Sequence, residues 1–437
     1  MSSVTTTPQD IAALIAADAP TAEHGWLATS RRTAVARAAA LGLPTREDEE
    51  WRYTNPAPVI GAACTLADDS TFEGEVADTD DLDLEAAAKL VFVDGRFAPA
   101  LSNIGSLPSG VHLTPLHGDL GQASGTVDQI LAAGVADARD GFEALGAGLA
   151  TGGIVLRLDE NALLEKPILV VHRSTEAGSA TLVAPNMIVI AAANSEATII
   201  EDHCGAASGG VTLARGDIRA DRDARIEHAV LIREPVERHH ISTLRLVQQG
   251  GGFVRSHKVL LGGAIVRNNL HVTIEGEHAE TALNGIFVPE GTQHHDTHLR
   301  VEHTAPNCHS RQFYKGMLAD RSRGVFTGRI WVQDVAQKTD AIQSNSNLLL
   351  SKTAQVTAKP QLEIYADDVR CTHGATSGMF DEDALFYLRA RGVPEKTARL
   401  LLLHAFAGEN IDRIAHEGFR EAVRSLIFAK LDAALDR

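Results

Sequence analysis

The chain has 437 residues, 44% hydrophobic, 22% charged and 5% aromatic, with 40 Lys+Arg against 57 Asp+Glu for a formal charge of −17. That length outgrows a single hydrophobic core, so more than one structural unit is expected. The acidic balance argues against general binding to nucleic acid or anionic membranes, which requires clustered positive charge.

The longest apolar runs, such as residues 400–403, are far too short to cross a bilayer. No positive segment followed by an apolar stretch opens the chain, so no secretory signal is expected. Cys64, Cys204, Cys308 and Cys371 lie far apart with no CxxC pair. That usage suits a reducing compartment, and the expected location is the cytoplasm.

In chain order, Thr7-Pro8-Gln9-Asp10 offers an N-cap and a first-turn proline, followed by Ile11, Leu14 and Ile15 at helical spacing. Residues 26–41 read as a second helix stopped at Gly42-Leu43-Pro44, and Trp51 and Tyr53 as anchors to something larger. Residues 55–90 are acidic and poorly periodic; Val91-Phe92-Val93 predicts a strand and residues 127–150 a helical stretch. From Ile154 the apolar runs shorten to strand length and β-branched residues rise, a character that persists to about residue 376.

Within that region strand-like blocks open near Asp223, Glu237, Gly251, Ala264, His278, Thr292, Asn307, Arg321, Ala336 and Lys352, at steps of 13 to 16 residues. Expected strands include 241–247, 253–261 and 324–332. Regular short strands suit a sandwich, a propeller or a solenoid. The solenoid is favoured because Asn268, Asn269, Asn284, Gln312, Ser344, Asn345, Ser346 and Asn347 can stack as ladders between turns. The connectors also lack Asn-Gly and Asp-Gly hairpin signals. Two blocks per turn give a β-helix. Helices are expected over 381–391, from Pro394 to Gly408 and over 418–435, and would cover an end of the solenoid. The domain boundaries are therefore 1–150 (helical and mixed), 151–376 (β-helix core) and 377–437 (helical).

The chain carries no P-loop, HExxH, GxSxG or EF-hand motif, and no catalytic residue is expected. Ten of its 19 histidines fall between residues 237 and 310. On one strand His294, Asp296 and His298 share a face, a pattern able to hold a divalent cation. The preferred reading is structural, as rungs of the polar ladder, because a metal site from one strand needs further ligands. Nearer the end, Cys371 and His373 point to one side of a strand where the solenoid meets the helices. A thiolate and an imidazole suit iron or zinc but leave the set incomplete, and a buried structural cysteine remains the plainer alternative.

Tyr314-Lys315-Gly316, Arg323-Gly324-Val325-Phe326-Thr327-Gly328, Ala336-Gln337-Lys338-Thr339-Asp340-Ala341 and Asn345-Ser346-Asn347 resemble, in consecutive order, the SufB/SufD family of iron–sulfur cluster assembly proteins. Lys359-Pro360-Gln361-Leu362-Glu363, Ala366-Asp367-Asp368-Val369 and Cys371-Thr372-His373-Gly374-Ala375-Thr376 continue that resemblance. Gly42-Leu43-Pro44 with Glu50-Trp51-Arg52-Tyr53-Thr54 looks like the N-terminal signature of the SufD branch, and the length also suits SufD better than SufB. The resemblance implies a right-handed parallel β-helix flanked by N- and C-terminal α-helical domains. It further implies a non-ATPase scaffold subunit of a SufBCD complex, paired with a SufB-like subunit and docked to a SufC-like ATPase. His373 then contributes to a nascent iron–sulfur cluster at the subunit interface, with Cys371 secondary and the remaining ligands supplied by SufB. No cofactor is expected to bind tightly to the chain alone, which is a possible homodimer when isolated. The sister subunit SufB and a β-helix polysaccharide enzyme are the rival readings; the second lacks the basic, aromatic-lined groove it would need.

Overall fold

The computed structural model describes residue 11 and residues 25–62, 64–68, 70–76 and 82–435. The helix expected from Thr7 onward lies outside the described residues apart from Ile11, which is buried.

Two long sheets face each other across a shared interior. Along the first run Val111–Pro115, Gly152–Leu158, Pro185–Ala191, Val211–Ala220, His239–Gln248, Ile265–Ile274, His294–His303, Arg323–Val332 and Gln355–Ile364. Along the second run Arg96–Phe97, Ala88–Val93, Ile168–Ser174, Glu196–Gly205, Arg225–Ile232, Phe253–Leu260, Glu280–Phe287, His309–Leu318, Asp340–Leu349 and Arg370–Gly378. The chain alternates between the sheets, so each strand pairs in parallel with the next but one, as in Val211↔His239 and Glu280↔His309. This is a β-helix in which two of the blocks read from sequence make one coil. Val111–Pro115 and Arg96–Phe97 pair antiparallel with their neighbours and close the N-terminal end.

The block period has a backbone cause. Asn161, Asn194, Asp223, Gly251, His278, Asn307 and Lys338 take left-handed φ between 58° and 71° at corners ahead of the second-sheet strands from Ile168–Ser174 to Asp340–Leu349. At six of these corners the N–H donates to a carbonyl of the next coil, as in Asp223 to Gly250 and Asn307 to Gln337. Asn, Asp and Gly adopt this conformation at least cost, which is why they punctuate the sequence without forming hairpins. The blocks anticipated at Asp223, Gly251, His278 and Asn307 open on those corner residues.

Coil stacks on coil through columns of like residues. Leu156, Val189, Ile218, Leu246, Val272, Val301 and Ile330 are successive register partners, each at most 1% exposed. The polar ladders are present too: Ser242 donates to Asn268, Asn269 to Thr243 and Gln343 to Gln312. Ser344 and Ser346 alternate with the buried Gln343, Asn345 and Asn347 and are only half-buried.

Helices cover the outer faces. Helix α1 (Gly25–Leu41), the short α2 (Ala57–Ile60), α3 (Ser124–Ala136) and α4 (Gly141–Leu149) form the N-terminal part. Phe142, Leu145 and Leu149 pack with Leu213 and Ile241 of the first sheet. The single stretch anticipated over 127–150 is broken in two, because Asp140 caps α4 by accepting from the Glu143 N–H. Helix α5 (Glu382–Ala390), α6 (Glu395–Ile411) and α7 (Glu417–Leu435) form the C-terminal part. Their apolar stripe, including Leu403, Ile411, Val423 and Ile427, packs with Leu231, Val259, Ile286 and Met317 on the outside of the second sheet. The C-terminal helices thus flank the β-helix and leave its last coil uncovered, where the sequence suggested a lid.

Two buried histidines make stability pH-dependent. Burial pushes the His295 imidazole down to about 3 and that of His303 to about 4, each from an ordinary value of 6.5. Both folded values lie below the unfolded one, so their contribution is complete above pH 6.5 and is lost as pH falls toward 4. In that window these two histidines take up to two more protons in the unfolded chain, a contribution to the slope of about 3 kcal/mol per pH unit. Urea unfolding at pH 7.5, 6 and 5 should show the steep loss, and His295→Gln should flatten it.

Candidate functional site

Cys371 and His373 sit on Arg370–Gly378, the last strand of the second sheet, paired on one side only. Their register partners are Ala341 and Gln343, which are buried in the interior. Both side chains therefore continue interior columns, yet Cys371 is half-buried and His373 exposed because no further coil lies over them. Beneath His373 the column runs through Gln343 and Gln312, bonded amide to amide at 2.5 Å, before meeting the apolar Leu283. The open end is thus a mouth that is polar on the His373 side, while the facing strand presents Ala358, Pro360 and Leu362, the register partners of Phe326, Gly328 and Ile330. Burial pushes the Cys371 thiol up, so at neutral pH it is protonated until a metal or a cationic neighbour draws off the proton. Among the described residues no three His, Cys, Asp or Glu donors converge at this mouth.

The edge itself has no strand beyond it. Gln355–Ile364 and Arg370–Gly378 end the two sheets with one row of backbone groups unpaired in each. Ile342, Ile364, Tyr365 and Met379 around them are exposed apolar side chains. Phe386 and Tyr387 on α5 and Leu401 on α6 form a further exposed apolar set, with Phe386 74% exposed.

His294, Asp296 and His298 lie elsewhere, on the outer face of the first sheet, against the Glu50-Trp51-Arg52-Tyr53-Thr54 segment. The Thr54 hydroxyl donates to Asp296 Oδ2 at 2.5 Å and lies 2.8 Å from His294 Nε2. Arg267 donates from Nη1 to Asp296 Oδ2 (2.8 Å) and to the Glu50 carbonyl (2.9 Å), while its guanidinium stacks 4.0 Å above the Trp51 ring. His298 stands between Asp296 Oδ1 (3.1 Å) and Glu50 Oε2 (3.2 Å). Burial alone would raise the Asp296 carboxyl, but His298 and Arg267 outweigh it and hold it well below the usual carboxylate range. The geometry is that of a clamp, with every one of these groups turned to a protein partner and the N-terminal segment as its load.

A third set, unremarked in the sequence, lies inside the coil: His172, Glu201, His203, His228, Glu234, His240 and Lys258. His228 Nε2 is 2.8 Å from Glu201 Oε1, and His240 Nδ1 is 2.8 Å from Glu234 Oε2. Burial pushes the Lys258 ammonium down to about 8, partly offset by Glu201. The signal was there to be found. Glu201-Asp202-His203 interrupts a β-branched run, and His172 and His203 occupy the same rung of neighbouring coils.

Against known proteins, residues 172–406 match the SUF system FeS cluster assembly SufBD core domain, and residues 20–170 match the SufBD protein N-terminal region. The chain belongs to the SufBD family. Among its relatives, the iron–sulfur cluster assembly protein SufD of Escherichia coli strain K12 is 34% identical over 89% of this chain and 90% of its own length. An iron–sulfur cluster assembly SufBD family protein of Synechocystis is 29% identical over 93% of this chain and 91% of its own. SufD of Bacillus subtilis is 23% identical over 94% and 95%. This chain is therefore a SufD-like member of the family, and the resemblance read from the motifs between residues 314 and 376 holds. Among the described residues no helix is long and apolar enough to cross a membrane.

Proposed function

We propose that this chain is the SufD-like, non-ATPase half of a cytoplasmic scaffold on which iron–sulfur clusters are assembled. Its open β-helix end pairs with a SufB-like subunit, and its C-terminal helices dock a SufC-like ATPase. The nascent cluster is cargo at the paired interface, where His373 contributes an imidazole and the partner the remaining ligands.

The unpartnered mouth carries this reading. Two edge strands of ten and nine residues stand side by side, with an interior-facing His373 left in solvent. An open edge of that length is a template on which another β-structure can pair. A second parallel β-helix continues both sheets and covers both columns. Docking of the ATPase is assigned to the exposed Phe386, Tyr387 and Leu401 on α5 and α6, a contiguous apolar set of the kind that marks an interaction surface.

Mixing the purified chain with SufB-like and SufC-like subunits from the same organism tests both surfaces. The expected product by light scattering and pull-down is a complex of all three, from which Phe386→Glu removes the ATPase and leaves the SufB-like subunit bound. A chain that stays self-associated in the presence of the SufB-like subunit, or that alone holds a full complement of iron and sulfide, would contradict the proposal.

A further inference from the structure

The polar cluster inside the β-helix is far from the mouth, and the scaffold reading leaves it unused. His172 and His203 are register partners on Ile168–Ser174 and Glu196–Gly205, with rings stacked 4.6 Å apart. Glu201, two residues before His203, projects into the same interior. One donor atom from each of His172, Glu201 and His203 lies within 4.8 Å of the other two. His203 is 2% exposed, and its Nδ1 has no hydrogen-bond partner among the described residues.

The separations favour a cation over a hydrogen-bonded ladder. Glu201 Oε1 is taken by His228, while Oε2 faces His172 Nε2 at 3.7 Å, too long for a hydrogen bond. Two ligands on one tetrahedral ion with bonds of about 2.1 Å stand about 3.4 Å apart, close to that gap. A neighbouring triad, His203 with Glu234 and His240, is also within range. Its carboxylate, however, is already engaged by Thr212, Arg238 and His240. A way in exists. A cavity of about 20 Å³ lined by His172 and His203 shares Asp94, Arg173 and Ser174 with a surface groove of about 830 Å³.

We infer that His172, Glu201 and His203 form a binding site for one divalent first-row metal ion inside the coil. Two imidazoles and a carboxylate, with no thiolate, suit zinc or ferrous iron. The site is separate from the mouth and does not rest on the pairing reading.

The test uses the full chain, stripped with chelator and titrated with Zn2+, and under argon with Fe2+, with bound metal counted after desalting. One ion per chain is expected, with a rise in thermal midpoint at saturation. The affinity should fall at least tenfold in Glu201→Gln and in His172→Gln. It should be unchanged in the Cys371→Ser/His373→Ala double variant, which alters only the mouth. His172→Gln is the informative variant if Glu201→Gln fails to fold, since His172 is the least buried of the three and its loss leaves the Glu201–His228 contact intact. Absence of stoichiometric binding of either, or full binding and full thermal shift in His172→Gln, would overturn the inference.

Discussion

Asp296→Ala should cost about 3–5 kcal/mol of folding stability, because it leaves the Arg267 guanidinium buried without its carboxylate. Arg267 is 3% exposed and Asp296 fully buried, so water does not replace the lost partner. The same change removes the acceptor of the Thr54 hydroxyl, so the N-terminal segment loses its hold on the first sheet. Adding Arg267→Met, which removes the stranded charge while keeping much of the side-chain volume over Trp51, should recover part of the loss. The measurement is the urea midpoint of the single and double variants, with Trp51 fluorescence reporting release of the segment. A loss below about 1 kcal/mol in Asp296→Ala would show that the clamp is not what holds the N-terminal part down.

His373→Ala should do the opposite, sparing stability and abolishing function. The side chain is exposed and makes no contact that the fold depends on, so the thermal midpoint should stay within the range of a neutral surface change, about 0.5 kcal/mol. Assembly with the partner subunits should also persist. Cluster yield in the reconstituted complex should fall about tenfold or more, since an incomplete ligand set loses one of its few members. Cys371→Ser should have a smaller effect, because burial keeps that thiol protonated and it is the poorer ligand until deprotonated. Iron and sulfide analysis of the purified complex separates these outcomes; unchanged yield in His373→Ala would remove the residue from the site.

The sequence was most legible where a periodic physical cause repeats. Left-handed corners at Asp223, Gly251, His278 and Asn307 set the block length, and the stacked columns required apolar or amide residues at matched rungs. The two predicted C-terminal helix starts near residues 394 and 418 also fell within a residue of the structure, because Pro394 and the stripe through Val423, Ile427 and Leu431 are local signals. What α5–α7 cover was not local. Their apolar stripe is matched by Leu231, Val259 and Ile286 on the outer face of a sheet, and nothing in the helices themselves distinguishes a flank from an end. The His294–Asp296–His298 pattern was visible as a shared face, but its partners Glu50, Trp51 and Thr54 lie some 240 residues earlier in the chain. The interior His172–Glu201–His203 set was hidden for the same reason: its members join only when two coils stack.

The central claim is that the last coil of the β-helix is a pairing edge. Amide hydrogen exchange over residues 355–364 and 370–378, with and without the SufB-like subunit, tests it most directly. These strands should exchange quickly in the isolated chain and gain strong protection in the pair, as unpaired edge groups acquire ladder partners. A stable pair in which both strands exchange as fast as in the free chain would place the interface elsewhere and contradict the account.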